Sequence, residues 1–177
     1  MGRAALDYLP HYTLEDYDRW EGDWELIDGV PFAMAPSPLP RHQRMGHILM
    51  MEMEPQLEVC PDCRLYYELD WRAATDTVLR PHLLVVCGPI DEDQPLTITP
   101  SLVVEMVSPS SKAYDRELKS MMYARFGVNY YVLAEPKTGH VEAFRWTKGG
   151  YKLLTGSPYT LALSKDCRIQ LPETIEM

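Results

Sequence analysis

One stretch constrains this chain more than any other: Leu102-Val-Val-Glu-Met-Val107, in which a single carboxylate interrupts an otherwise apolar run. A run this apolar is what a central strand covered on both faces requires. An unpaired carboxylate inside it is costly, so Glu105 must meet a metal, a hydrogen-bond partner or a proton. Strand alternation puts Val103, Glu105 and Val107 on one face. A salt-bridged core glutamate and a member of a reactive site both remain open on this ground alone.

The surrounding pattern supplies a mixed sheet with helices against it. Thr13-Leu-Glu-Asp16 has the form of a helix N-cap, opening a short helix that ends near Trp20. Trp24 to Ala35 alternates apolar and polar residues around Asp28-Gly29, the signal of a tight hairpin with strands Trp24–Ile27 and Val30–Ala35. After the stiff Pro36-Ser37-Pro38 and Pro40, the spacing of Met45, Ile48, Leu49, Met53 and Leu57 predicts a helix over 42–57. Leu65–Ala73 and Thr77–Cys87 read as one antiparallel hairpin. Beyond the Ser101–Val107 strand and the Ser108-Pro109-Ser110-Ser111 turn, Tyr114–Phe126 is helical, with Gly127 as its stop. Asn129–Ala134, His140–Trp146 and Tyr151–Leu154 complete the strands. The expected class is α/β: one domain over residues 1–177 with its core at about 12–155, a mixed sheet flanked by helices, and β-hairpins at both ends.

Three further polar residues stand out. Glu25 shares a strand face with Ile27. His82, in Arg80-Pro81-His82-Leu83-Leu84, shares a face with Leu84 and Val86, where a histidine is as much a satisfied core residue as a ligand. Lys119 follows Asp115 by four residues, so it either pairs with Asp115 on the helix surface or is carried back over the end of the Glu105 strand.

Composition sets the boundaries. Hydrophobic residues make up 46% and charged residues 24% of the 177, the balance of a globular protein. The longest apolar runs fall far short of the ~20 residues that span a bilayer, and the first residues lack the pattern of a signal peptide, so no membrane role and a cytoplasmic location are expected. The formal net charge of −9 disfavours strong non-specific duplex binding. Basic residues are instead grouped locally, Arg41, His42, Arg44 and His47 in one place and Lys112, Arg116 and Lys119 in another, although solvated helix faces look the same. Cys60-Pro-Asp-Cys63 has the spacing of half a zinc site or a redox pair. No second CxxC or nearby HxxxH completes it, and Cys87 ends an apolar run where an inert buried thiol belongs.

The ordered set of motifs resembles the Uma-two type of restriction endonuclease family in the PD-(D/E)XK nuclease superfamily. It comprises Tyr12-Thr-Leu-Glu-Asp-Tyr17, Glu25-Leu-Ile-Asp-Gly29, Pro36-Ser-Pro38 with Arg41-His-Gln-Arg44, Val103-Val-Glu-Met-Val-Ser-Pro-Ser110, Asp115-x3-Lys119-x3-Tyr123-x3-Gly127-Val128 and Tyr130-Tyr-Val132. The resemblance covers about Tyr12 to Trp146 and implies a restriction-endonuclease-like fold. By position it makes Glu25 the helping acid, Glu105 the second acid and Lys119, on the following helix, the catalytic lysine. Val107 stands where the tripeptide usually has its lysine. Arg41, His42, Gln43, Arg80 and Arg116 become the substrate-binding residues, and DNA the partner.

The departure is at the first acid, where the family has Pro-Asp and this chain has Pro81-His82. Losing that carboxylate weakens a site for magnesium, which prefers oxygen and octahedral geometry, while imidazole accepts manganese or a softer ion. The implied ligands are His82, Glu105 and Glu25; Asp70 and Asp76 on the neighbouring hairpin are possible substitutes for the missing acid. The resemblance therefore implies a metal-dependent DNA endonuclease that His82 can impair, cutting as a homodimer. A catalytically inactive nuclease-fold binding or assembly module is the alternative, and a zinc protein built on the CxxC with distant Cys87 or histidines a third reading.

Overall fold

The computed structural model describes residues 10–34, 39–107 and 114–177, the side chains at 114 and 115 excepted. The Pro36-Ser37-Pro38 connection, the Ser108–Ser111 turn and the Asp115 side chain lie outside the described residues.

Two sheets carry the fold. The first has the order β2-β1-β5-β4, built from β1 (Trp24–Ile27), β2 (Val30–Ala33), β4 (Trp71–Ala74) and β5 (Thr77–Leu79). The second has six strands in the order β10-β9-β8-β7-β6-β3. These are β3 (Cys63–Tyr67), β6 (Leu83–Cys87), β7 (Leu102–Met106), β8 (Tyr130–Ala134), β9 (Val141–Thr147) and β10 (Gly150–Leu153). Strands β7 and β8 are parallel, joined through a helical crossover, and the other neighbours are antiparallel. As the apolar run requires, β7 lies inside the larger sheet and is buried throughout.

The β1–β2 hairpin turns at Asp28-Gly29, where φ is 48° and 75°, the left-handed pair that an Asp-Gly turn supplies. At α1 (Leu14–Tyr17), the Asp16 carboxylate accepts from the Thr13 backbone N–H at 2.9 Å, closing the expected cap. Helix α2 (Pro40–Leu57) buries Met45, Leu49, Met53 and Leu57 at the predicted spacing. Its apolar stripe covers one face of the larger sheet, against Leu102, Val104 and Met106. The other face, with Val103 and Val107, packs on Met122 and Tyr123 of α3 (Ser120–Arg125) and on Ile27, Trp71 and Leu79 of the smaller sheet.

Four expectations need correction. The hairpin expected over Leu65–Ala73 and Thr77–Cys87 breaks in both arms, so β3 pairs β6 in one sheet and β4 pairs β5 in the other. Glu68, at φ 47°, bends one arm, and Pro81, which has no N–H for a ladder, sits in the break of the other. The helix after β7 starts as a π-helical turn, Tyr114–Lys119, before becoming regular as α3. The core continues past 155: β11 (Tyr159–Ala162) and β12 (Arg168–Leu171) form a further hairpin whose Leu161, Ile169 and Leu171 are buried in the α2-side core. Finally, Cys87 is not an inert thiol. It is bonded to Cys63, and Cys60 is bonded to Cys167. Among the described residues no helix is long and apolar enough to cross a membrane.

Candidate active site

The break in the long hairpin positions the polar centre. In the β6–β7 register Leu83 faces Val104, and one step further along the antiparallel pair sets His82 across from Glu105. His82 Nδ1 is hydrogen-bonded to Glu105 Oε2, and the His82 backbone N–H reaches the same oxygen at 3.4 Å. Arg80, on the other side of Pro81, donates its backbone N–H to Glu25 Oε1 at 2.8 Å. Sheet crossing thus brings the acid of the smaller sheet opposite the acid of the larger one.

Lys119 joins them. Its Nζ lies 2.6 Å from Glu105 Oε1 and 3.0 Å from Glu25 Oε1. Lys119, Glu25 and Glu105 are all buried, the last completely. The expected surface pairing of Lys119 with Asp115 is therefore corrected, because the ammonium is drawn inward by two carboxylates that have left water. Tyr123, one turn further along the helix, donates its hydroxyl to Glu105 Oε1 at 2.6 Å. The ordered motifs contain Tyr123 but assign it no role; its spacing of four from Lys119 was the available signal.

The electrostatics follow from this packing. Burial alone would raise the Glu105 carboxyl, but Lys119 and then His82 outweigh it and hold it down to about 2. Burial, reinforced by Glu105, pushes the Tyr123 phenol well above its ordinary range, so it remains a proton donor. His42 stacks obliquely on His82 with ring centroids 4.6 Å apart. Burial and the neighbouring His82 push its imidazole down, and its Nδ1 is buried without a partner. His82 is the outward-facing member of the cluster, its side chain 22% exposed where Glu105 is fully enclosed.

The remaining expected residues separate. Arg80 Nε lies 2.5 Å from Asp70, and its Nη1 2.6 Å from Asp23; Tyr17 donates to the second Asp70 oxygen at 2.8 Å. Arg116 is paired with Glu142. Both guanidinium groups are thus held by carboxylates. Arg41 and Gln43 are exposed at the start of α2, with Arg41 lining a shallow cleft beside Arg44 and Met177. Asp70 faces Arg80 and Asp76 faces His11 at 3.1 Å, so both possible substitutes for the missing acid are engaged elsewhere.

The donor set decides what ion the centre suits. Glu25 and Glu105 both turn Oε1 to the Lys119 ammonium, and among the described residues no three His, Cys, Asp or Glu side chains are disposed as metal ligands. An all-oxygen magnesium site therefore does not fit. His82 and Glu105 do meet as a nitrogen–oxygen pair, which suits manganese or a softer divalent ion.

Fold and centre together define a restriction-endonuclease-like α/β protein. The chain belongs to the family described as "Uma2: Putative restriction endonuclease", which matches residues 14–172. Its fold is similar to that of "a putative nuclease belonging to DUF820" from Anabaena variabilis ATCC 29413, at a TM-score of 0.69 and 15% identity, covering 89% of this chain and 94% of that one. No curated protein matches it.

Proposed function

We propose that this chain is a metal-dependent DNA endonuclease hydrolysing phosphodiester bonds, with a nitrogen-accepting divalent ion in place of magnesium. The observation that carries the reading is the meeting of Glu25, His82, Glu105 and Lys119, from four separate segments, around one ammonium group. His82 and Glu105 would hold the ion, with Glu25 assisting. When bound, that ion supplies Lewis acidity toward a phosphate oxygen. Lys119 keeps the two acids ionised and close, and supplies positive charge against the charge that builds on phosphate in the transition state. Tyr123 fixes the Glu105 carboxylate by its hydrogen bond. His42 borders the open edge beside His82, and exposed Arg41 and Gln43 extend it toward the DNA backbone. DNA is assigned because restriction endonucleases act on it. A homodimer would form on the edge that exposes Trp146 and Leu153.

Cleavage of supercoiled and linear DNA with manganese, magnesium, nickel or zinc tests this reading. Manganese or nickel should exceed magnesium, and Glu105→Ala and Lys119→Ala should each abolish cleavage. Absence of cleavage of any DNA form with every metal would sink it.

The enclosure of Glu105, with both oxygens held by protein groups, favours one other reading, a nuclease-fold module that no longer cuts. His82→Asp separates the two. Activity created from nothing identifies an inactive descendant of a nuclease, whereas a shift of existing activity toward magnesium identifies His82 as a working ligand.

A further inference from the structure

The CxxC motif lacks a second ligand pair in sequence, and the fold supplies one. Cys60 follows α2, Cys63 opens β3, Cys87 ends β6 and Cys167 precedes β12. The Cys63 N–H donates to the Cys60 carbonyl at 2.9 Å, closing a tight turn, and the Gly88 N–H donates to the Asp62 carbonyl at 2.8 Å, tying the end of β6 to that turn. Cys167 reaches the first cysteine of the motif and Cys87 the second. Sulfur from four chain positions is therefore gathered on one turn.

The surroundings suit more than a covalent link. Cys60, Cys63 and Cys167 are 2–3% exposed, within the apolar core that α2 covers. Arg64 Nη1 donates to the Pro61 and Cys63 carbonyls at 2.6 and 2.9 Å, which fixes a positive charge beside the sulfurs. Such a charge favours thiolate over thiol.

We propose that these four cysteines, once reduced, form a tetrahedral zinc site, so that two disulfides and one zinc ion are alternative states of a single cross-link. Each disulfide is reduced by two low-molecular-weight thiols, which give up two electrons and two protons and leave as their own disulfide. Zinc then binds as the four cysteine thiols release their protons to solvent. Tetrahedral coordination at about 2.3 Å places the sulfurs about 3.8 Å apart, a separation that side-chain rotation provides once the covalent bonds open. In a thiol-reducing compartment this is the stable state, since Cys clusters there hold metal more often than disulfides. In either state the cross-link fastens the β11–β12 hairpin to the end of α2 and to the edge of the larger sheet.

The test is the full chain purified under a strong thiol reductant with zinc in the medium. About one zinc per chain should survive gel filtration and be released by a mercurial thiol reagent. Cobalt(II) added to the reduced, metal-stripped protein should give the intense thiolate charge-transfer bands and visible bands of tetrahedral coordination. The cobalt experiment needs no variant, and a Cys87→Ser, Cys167→Ser double variant should lose both signals. Four titratable thiols with neither retained zinc nor tetrahedral cobalt bands would overturn the proposal. Disulfides that persist in the folded protein under that reductant would overturn it equally.

Discussion

Glu105 and Cys63 belong to the same six-stranded sheet but to its opposite sides. Glu105 faces α3 and the smaller sheet alongside Val103, whereas Cys63 lies in the core beneath α2. Each marks a place where segments far apart in sequence converge. On the Glu105 side the convergence is held by charge: two buried carboxylates share one ammonium, with a tyrosine hydroxyl and an imidazole completing the cluster. On the Cys63 side it is held by covalent bonds through sulfur. The first arrangement responds to protons and to removal of any one partner; the second responds to electrons.

The contrast can be broken most forcefully on the sulfur side. The Cys60–Cys167 disulfide closes a loop of 107 residues, and Cys167→Ser in the oxidised protein should cost about 5 kcal/mol on the loop-entropy scale. Cys87→Ser, which opens a 24-residue closure, should cost about 3.5 kcal/mol. Urea unfolding without reductant ranks the two, and an equal loss would contradict chain entropy as the origin.

On the charge side, Lys119→Met leaves two buried carboxylates facing each other and should destabilise by about 4 kcal/mol. Adding Glu105→Gln should recover part of that loss. If the double variant proves weaker than the single one, Lys119 is not held there by charge.

The pH dependence sharpens the difference. Glu105 is held down to about 2 from an ordinary 4.5, so the stability it contributes is complete above the unfolded value and is lost as pH falls from 4.5 toward 2. Urea midpoints measured across that window should slope in the wild type and flatten in Glu105→Gln. The disulfides contribute no slope there. Smallest of the set, Tyr123→Phe removes one hydrogen bond to a buried carboxylate and should cost about 2 kcal/mol, readable as a lowered thermal midpoint in calorimetry with the fold intact.

Legibility in the sequence followed the same division. Glu105 announced itself because a carboxylate in an apolar strand must be paired, and β1, the Asp28-Gly29 turn and the stripe of α2 followed from local periodicity and turn chemistry. The meeting of His82 and Lys119 at Glu105 was accessible only through the ordered motifs, since no local rule fixes register between strands separated by long loops. The cysteine pairing was hidden for that reason too: the partner of Cys60 lies 107 residues away, on a hairpin, β11–β12, whose short alternating strands give a weak signal. The π-helical turn before α3 and the split of the long hairpin depend on packing, which draws Lys119 inward and sends Trp71 to the smaller sheet.

That split has a further consequence. Because the two arms of one hairpin run from sheet to sheet, the angle between the sheets and the distance between Glu25 and Glu105 are a single mechanical variable. A duplex that wedges the sheets apart would stretch the 3.0 Å Lys119–Glu25 contact first, and the ammonium would then be held by one carboxylate where it had been shared by two. Bending of the scaffold is in this way converted into a redistribution of charge at its centre.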